Sequence, residues 1–389
     1  MIIKSKYKKF LLTLVGKYKI LPATKSSIKI LLNFFPCLES EKKFESAYRH
    51  LREAKLLRKI SLFDNEGNTR DAIEITQKGI NTLKENGIDV EKMRKSIYAK
   101  NSNIKTKQLL YKTAETDIFF RGASKENSNL KFLDRDSLID VPKKNRTWEN
   151  AEQYKGARIN GLLYTGYNFL PVYNVKNSNI KINPNTETGF INGVLTSFGY
   201  VANKDEKIIL ADSIEIIDKT ILSKEFKIEN SDKKKNSIFQ KSTYSKDVKI
   251  FLFLNNIEQQ KLVKLLHFQD FDVLIKSYIE IEFGIENNEK RIDFNNILFG
   301  DLSIYESETE VGFCIIRQEL NYINRLYRLL NSVRDKIEKG KRKLVVYGLP
   351  CNKALYNKVF ERFPYTEFRE INEEDFWRFS VSAENDKCA

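Results

Sequence analysis

Residues 39–83 constrain the fold most strongly, because their apolar spacing changes from helical to strand-like and back within a short stretch. Apolar residues first recur at steps of three and four, which predicts a helix with one buried face: Phe44, Ala47, Tyr48, Leu51 and Ala54. Ser40 is the expected N-cap of this helix, although Lys43 replaces the acidic residue that would complete a capping box.

The rest of this stretch predicts a hairpin and a closing helix. Residues 56–62 have strand composition, and residues 64–69 (DNEGNT) contain the Asp, Asn and Gly residues typical of tight turns. Residues 72–75 form the expected return strand. Thr76 is then the expected cap of a helix that stops near Gly87.

A helix, a two-stranded wing and a closing helix follow one another in this stretch. This order of elements resembles that of the winged-helix regulators. The resemblance implies that the helix after Ser40 enters the major groove of duplex DNA. The residues expected to contact DNA lie on the open face of that helix or beside the wing: Lys42, Lys43, Ser46, Arg49, His50, Arg52 and Arg70. For His50, contact with DNA and a plain surface position are left open. The alternative for the whole unit is a small helix–hairpin module that contacts another protein.

The charge distribution favours a polyanionic partner for the N-terminal region. The whole chain has a formal net charge of +15, and residues 1–113 contain 25 basic and 11 acidic residues. The remaining chain contains 42 basic and 41 acidic residues, so almost the whole excess accompanies the predicted winged helix. Double-stranded DNA is therefore the expected partner. A membrane surface is disfavoured, because no lipidation signal or long basic amphipathic helix is present.

Cysteine and histidine usage argues against a structural metal site. The four cysteines are scattered without a CxxC pair, and the chain has two histidines, His50 and His267. Reduced thiols and a cytoplasmic location are expected. The first twenty residues contain a short apolar run but no cleavage site, so they predict a first helix over residues 6–18 rather than a signal peptide. No apolar run of about twenty residues suggests a membrane span.

Composition shifts divide the chain into predicted units. The boundaries fall as follows: a DNA-binding domain over residues 1–100, a linker at 101–107, a mixed unit over 108–228, an exposed connection at 229–247 and an α/β unit over 248–389. Because the first domain carries the basic excess and its own apolar helices, we expect residues 1–100 to fold alone and to retain most of the duplex affinity. A homodimer remains open.

The two later units contain alternating strand and helix signals. In the second unit, residues 159–164 and 169–175 flank Thr165–Gly166 and predict a hairpin, and residues 208–217 predict a strand. The third unit has predicted strands at 248–254, 272–275, 311–316 and 343–349, with helices at 257–267, 319–338 and 355–363. The predicted class is α/β (α+β overall), an N-terminal winged helix-turn-helix followed by a larger mixed region with a hairpin and strand–helix–strand units.

With these elements in place, the chain resembles the replication-relaxation-type proteins of plasmids and integrative conjugative elements of low-GC Gram-positive bacteria. The resemblance rests on residues 48–58, on residues 158–165 together with 172–174, and on residues 343–360. It implies duplex DNA binding in the maintenance, replication or transfer control of a mobile element.

A metal-dependent nuclease is the alternative from the enzyme class. Such enzymes arrange two or three carboxylates and a lysine around a divalent cation. The nearest pattern in this chain comprises Asp212, Asp218, Glu225 and Lys227. A solvated, alternating strand explains the same residues more simply. Glu280 and Glu282 form a weaker pair, expected on the outer face of a strand.

Other enzyme classes lack their defining residues. With two histidines no histidine metal triad can form, and residues 348–353 lack the second glycine and the Ser/Thr of a phosphate-binding loop. The sequence therefore predicts no cofactor and no metal. The leading interpretation is a non-enzymatic DNA-binding protein, either a replication or transfer accessory factor or a transcriptional regulator; the alternatives are the nuclease and a scaffold whose winged helix binds protein.

Overall fold

The computed structural model describes most of the chain. It covers residues 3–63, 69–90, 104–125, 129–135, 159–175, 184–197, 206–217, 249–284, 302–307, 309–340 and 342–388, with Asn127 and Leu138 as single residues. The structure is mixed α/β with several sheets, which confirms the mixed α/β part of the predicted class. Within these residues no helix combines the length and the apolar content needed to cross a bilayer.

The N-terminal unit contains helices around a small antiparallel sheet. Its elements are α1 (Lys6–Tyr18), β1 (Ile20–Pro22), α2 (Lys25–Phe34), α3 (Glu41–Glu53), β2 (Leu57–Phe63), β3 (Thr69–Ile75) and α4 (Gln77–Glu85). β3 lies between β1 and β2 and is antiparallel to both. The predicted helices and strands are confirmed to within about three residues at their ends. Of the predicted turn at 64–69, only Thr69 lies within the described residues.

Side-chain caps and one close approach fix the ends of these elements. Ser40 Oγ accepts a hydrogen bond from the amide of Lys43 at 3.3 Å, and Thr76 Oγ1 accepts one from the amide of Gly79 at 3.1 Å. Gly79 itself is required by packing, since a Cβ there would lie 2.4 Å from the carbonyl oxygen of Leu56. Both caps were predicted, and both are confirmed.

Helix α5 (Ile104–Ser124) joins the N-terminal unit to the rest of the protein. It begins within the predicted linker at 101–107, so residues 104–107 are helical rather than irregular. The polar composition of 104–107 suggested a linker, but neither Gly nor Pro is present there to stop a helix that downstream packing stabilises. α5 packs against α2, β1 and β4.

A five-stranded sheet follows α5. It contains β4 (Lys131–Asp134), β5 (Gly161–Tyr164), β6 (Phe169–Val175), β7 (Glu206–Ala211) and β8 (Lys249–Leu254), ordered β4-β5-β6-β7-β8. β4, β5 and β6 are antiparallel, whereas β6, β7 and β8 are parallel.

The hairpin predicted around Thr165–Gly166 is confirmed as β5–β6, with Gly166 at a φ of 97°. Two other predictions need correction. β7 ends at Ala211, so the strand predicted over 208–217 stops early. The connection predicted at 229–247 lies outside the described residues, but β7 before it and β8 after it pair in one sheet, so the units predicted on either side of it are not separate. Hydrophobic patterning identifies strands but does not reveal which strands pair.

The C-terminal region adds a third, four-stranded sheet and several helices. The strands are β9 (Tyr305–Glu306), β10 (Glu310–Cys314), β11 (Lys343–Gly348) and β12 (Thr366–Glu370), ordered β12-β11-β10-β9, with β10, β11 and β12 parallel. The helices after β6 are α6 (Pro184–Ser197), α7 (Ile257–Leu262), α8 (Phe271–Phe283), α9 (Leu320–Gly340), α10 (Lys353–Val359) and α11 (Glu373–Cys388). The predicted alternation of strands and helices is confirmed here.

Helix α8 contradicts the strand predicted at 272–275. Its buried residues recur at helical steps: Phe271, Leu274, Ile275, Tyr278 and Ile279. A window of four residues was too short to distinguish this period from that of a strand. Glu280 and Glu282 consequently lie on a helix, not on the outer face of a strand.

The five-stranded sheet is buried on both faces. Its side chains alternate between two cores. Val172, Leu210 and Phe253 belong to the core shared with α5 and the N-terminal unit. Ile209 and Leu252 belong to the core shared with the four-stranded sheet and α9.

A buried polar cluster ties α1 to α5. Tyr18 Oη donates a hydrogen bond of 2.6 Å to Asp117 Oδ2, and Arg121 forms ion pairs with both Asp117 and Asp134. Asp117 is 3% exposed, and burial raises its pKa despite the opposing effect of Arg121 and Tyr18. The N-terminal unit is therefore held to α5 by a charge-assisted contact as well as by apolar packing.

We expect Tyr18→Phe to lower the free energy of unfolding by about 1–3 kcal/mol, because it removes one donor from a buried carboxylate. Urea unfolding of the full chain measures this loss. Tyr365→Phe is the matched control, since Tyr365 is 47% exposed, and it should change stability by less than about 0.5 kcal/mol. Equal losses in the two variants would show that the Tyr18 contact does not couple α1 to α5.

Candidate nucleic-acid interface

Helix α3 is fixed to the N-terminal unit through its apolar face. Phe44, Ala47 and Leu51 are at most 4% exposed and belong to the large core. α3 packs against α1 and β2. The opposite face of α3 is consequently directed to solvent.

The solvent face of α3 is rich in basic residues. The following side chains are exposed, as predicted: Lys42, Lys43, Arg49, His50 and Arg52. Ser46 is half-buried. Lys42, Ser46 and Arg49 fall at steps of four and three and so share one ridge of the helix. Three acidic side chains are also exposed on α3: Glu41, Glu45 and Glu53.

Local contacts restrain several of these side chains. His50 Nδ1 lies 2.7 Å from the carbonyl oxygen of Ser46, and Lys43 forms an ion pair with Glu39. The guanidinium of Arg52 lies 5.9 Å from the centre of the Tyr48 ring. Lys43 and Glu39 are each more than half exposed, so this pair contributes little stability and leaves the lysine able to meet a phosphate.

Arg70 does not lie with the α3 residues. It forms an ion pair with Asp212, which follows β7 of the five-stranded sheet, and the two side chains are 17% and 16% exposed. Burial opposes its charge, but the carboxylates of Asp212 and Glu115 raise the pKa of Arg70 on balance. The predicted wing-flanking DNA contact is instead a half-buried link between the hairpin and the sheet. Local sequence could not show this, because the partner lies far along the chain.

The Arg70 contact lies at the carboxyl end of the parallel strands. Asn174 is the penultimate residue of β6, Asp212 follows β7 and Asn255 follows β8. Asn174 donates a hydrogen bond of 2.8 Å to Glu115 Oε2 of α5. In open α/β sheets this edge is where ligands bind, but here the hairpin and α5 cover it. The edge therefore serves to position the N-terminal unit.

The candidate metal-site residues of the nuclease alternative lie mostly outside the described residues. Of its four candidates, Asp212 is paired with Arg70, while Asp218, Glu225 and Lys227 lie outside the described residues. Across the described part of the chain, no group of three or more His, Cys, Asp or Glu side chains is placed to hold a metal ion.

Comparison with known proteins supplies no relative: no protein-family model, no curated protein and no solved structure matches the chain.

We expect Arg70→Ala and Asp212→Ala each to destabilise the full chain by about 3 kcal/mol, because each leaves a half-buried charge without its partner. The double variant should lose less than the sum of the two, by about 1 kcal/mol or more. The same cycle on Lys59 and Asp71, an exposed pair on the same hairpin, should give less than about 1 kcal/mol for each variant.

Additive losses at Arg70 and Asp212 would contradict the proposed link. The same variants distinguish a structural role of Arg70 from a role in contacting DNA. If Arg70 lies against the sheet, Arg70→Ala should leave the salt dependence of duplex binding unchanged.

Proposed function

We propose that this chain is a double-stranded DNA-binding protein whose N-terminal unit places α3 in the major groove. The observation that carries the proposal is the solvent face of α3, where Lys42, Arg49, His50 and Arg52 are exposed together. Arginine, lysine and histidine side chains on one helix face can donate hydrogen bonds to base edges and phosphates.

The order of elements in the N-terminal unit supports the docking mode. The unit contains, in order, a helix, a short strand, two helices, a two-stranded hairpin and a closing helix. A winged-helix domain has the same order of elements. The apolar face of α3 is buried, so the helix can enter a groove as a rigid element.

The biological role we propose follows the sequence resemblance. A chain of this kind would act in a mobile element as an accessory factor of replication or transfer, or as a transcriptional regulator. If it binds as a homodimer, its site would be a palindrome with half-sites about one helical turn apart. Sequencing the DNA fragments that co-purify with the full chain tests this role, since a site near an origin or its own promoter would support it.

We expect Arg49→Ala to cost about 1–3 kcal/mol on the preferred duplex and much less on a scrambled one, because base contacts carry sequence preference. Fluorescence anisotropy titrations on both duplexes measure the difference. Glu53→Gln is the matched control on the same ridge: loss of an acidic charge should tighten binding to both duplexes. Equal losses on both duplexes for Arg49→Ala would mean that α3 is not the base reader.

Lys42→Ala and Lys43→Ala should weaken both duplexes alike, because a helix N-terminus favours phosphate, and lysine contacts to phosphate carry no sequence information. Each substitution should lower the slope of log affinity against log salt by about one unit. Titrations at several salt concentrations measure the slope. An unchanged slope in both variants would place the phosphate contacts elsewhere.

We expect no cleavage of supercoiled, linear or single-stranded DNA in the presence of Mg²⁺ or Mn²⁺. Gel assays of the full chain test this. Metal-dependent nicking that disappears in Asp212→Asn, Glu225→Gln or Lys227→Ala, with folding intact by circular dichroism, would contradict the non-enzymatic proposal.

A further inference from the structure

A second candidate contact surface lies where the N-terminal unit meets the C-terminal helix. Side chains from four helices and the turn after α7 enclose a cavity of about 250 Å³. The lining that matters here consists of Asn33 of α2, Gly122 of α5, Gln260 and Lys261 of α7, Lys264, and Trp377 of α11. Junctions between structural units are common places for ligand binding.

One wall of this cavity is fixed by hydrogen bonds. Gln260 Nε2 donates to the carbonyl oxygen of Phe119 at 2.6 Å, and Gln260 Oε1 accepts from Asn33 Nδ2 at 3.4 Å. Gly122 makes this arrangement possible, since a Cβ there would lie 2.3 Å from Gln260 Nε2. The wall is therefore built before any ligand arrives.

Trp377 and Lys261 are held beside one another at the cavity. Glu373 Oε1 accepts a hydrogen bond from Trp377 Nε1 at 3.4 Å and pairs with Lys261 Nζ at 2.8 Å. Trp377 is half-buried, so part of its indole remains accessible. One carboxylate thus positions an aromatic surface next to an ammonium group.

The lining matches the chemistry of a nucleotide. The residues that line this cavity, all within the described part of the chain, include two lysines and an indole but no carboxylate. An indole can stack on a base, ammonium groups attract a phosphate, and the amides of Asn33 and Gln260 present further polar groups.

A wider hollow of about 980 Å³ continues from the cavity and shares Lys261 and Trp377 with it. It adds Arg378 and Val381 of α11, and Val381 is 55% exposed. Glu373 and Glu374 also line this hollow, but each faces a cation, Lys261 at 2.8 Å and Arg378 at 3.7 Å. This hollow is open to solvent and follows α11 away from the cavity, so an extended strand fits it better than a mononucleotide.

We propose that this groove binds single-stranded DNA, with one base stacked on Trp377 and the adjoining phosphates beside Lys261 and Lys264. The choice of DNA as the occupant rests on the proposed function, whereas the groove itself rests on its own geometry. A protein that holds duplex on α3 and an unpaired strand on this groove could retain the strand that opens next to its site.

Trp377 also provides the readout. The chain has two tryptophans, so Trp148→Phe leaves Trp377 as the single indole of the full chain. Titration of this variant with oligothymidylate should quench its fluorescence, with an affinity that falls as salt rises. Absence of quenching and of binding by a labelled oligonucleotide would overturn the proposal.

Substitutions at Trp377 and at the two lysines distinguish base stacking from the attraction of phosphates. Trp377→Leu should weaken oligothymidylate binding about 5- to 100-fold, while Trp377→Phe should retain part of the affinity. Lys261→Ala and Lys264→Ala should each lower the salt slope by about 0.7. Lys276→Ala, an exposed lysine of α8, is the matched control and should leave affinity and slope unchanged. Equal losses of affinity in Lys276→Ala and Lys264→Ala would show that single strands bind through general electrostatic attraction rather than in this groove. That result would contradict the proposal.

Two further measurements distinguish failure of the single-strand proposal from failure of the proposed function. Thymidine monophosphate should bind at least tenfold more weakly than the oligonucleotide; equal affinity would make this a small-nucleotide pocket and overturn the single-strand proposal. Duplex binding measured on the same variants should persist. If Trp377→Leu loses single-strand binding but keeps duplex binding, the proposed groove is supported. If the wild-type chain binds single strands but no duplex, the proposed function is refuted and the single-strand proposal stands.

Discussion

The burial of helix α5 between the N-terminal unit and the five-stranded sheet is the packing constraint on which the other contacts depend. Ile118, Phe119 and Phe120 are at most 2% exposed and belong to the core that also contains α1, α3 and the sheet. Burial of such side chains from water is the main stabilising term available to the fold. Because α5 touches both sides, the N-terminal unit and the sheet are held in one arrangement.

That arrangement changes how the N-terminal unit should be regarded. The sequence predicted a domain over residues 1–100 that folds alone, attached through a linker. In the structure, Tyr18 reaches Asp117 of α5 and Arg70 reaches Asp212 beyond β7. A fragment that ends at residue 100 would expose the surfaces of α2 and β1 against which α5 packs. An independent N-terminal fragment would therefore need to include α5.

The parts of the fold that could be predicted are those encoded locally. The helical spacing of Phe44, Ala47 and Leu51, the cap at Ser40 and the turn at Gly166 each express a short-range preference that one stretch of sequence contains. The same reasoning placed Lys42, Arg49, His50 and Arg52 on the open face of α3, where they are exposed.

The errors arose where distant residues decide the outcome. From their neighbours in sequence, Arg70 is expected to contact DNA beside the wing, and Asp212 is only a weak candidate for a metal site that a solvated strand explains more simply. Each is the other's partner, and a half-buried ion pair between distant elements has no local signature. The pairing of β8 with β7 and the groove around Trp377 likewise come from contacts between segments far apart in the chain. Helix α8 was missed for another reason, since too short a window was considered.

The central claim is that the solvent face of α3 meets duplex DNA, and the two histidines of the chain test it directly. His50 is exposed on α3, whereas His267 is half-buried after α7 and serves as an internal control. Diethyl pyrocarbonate modification of the full chain, with and without saturating duplex, can be followed at each histidine by mass spectrometry. The account predicts strong protection of His50 and unchanged modification of His267. Modification of His50 at the same rate in saturating duplex would contradict it.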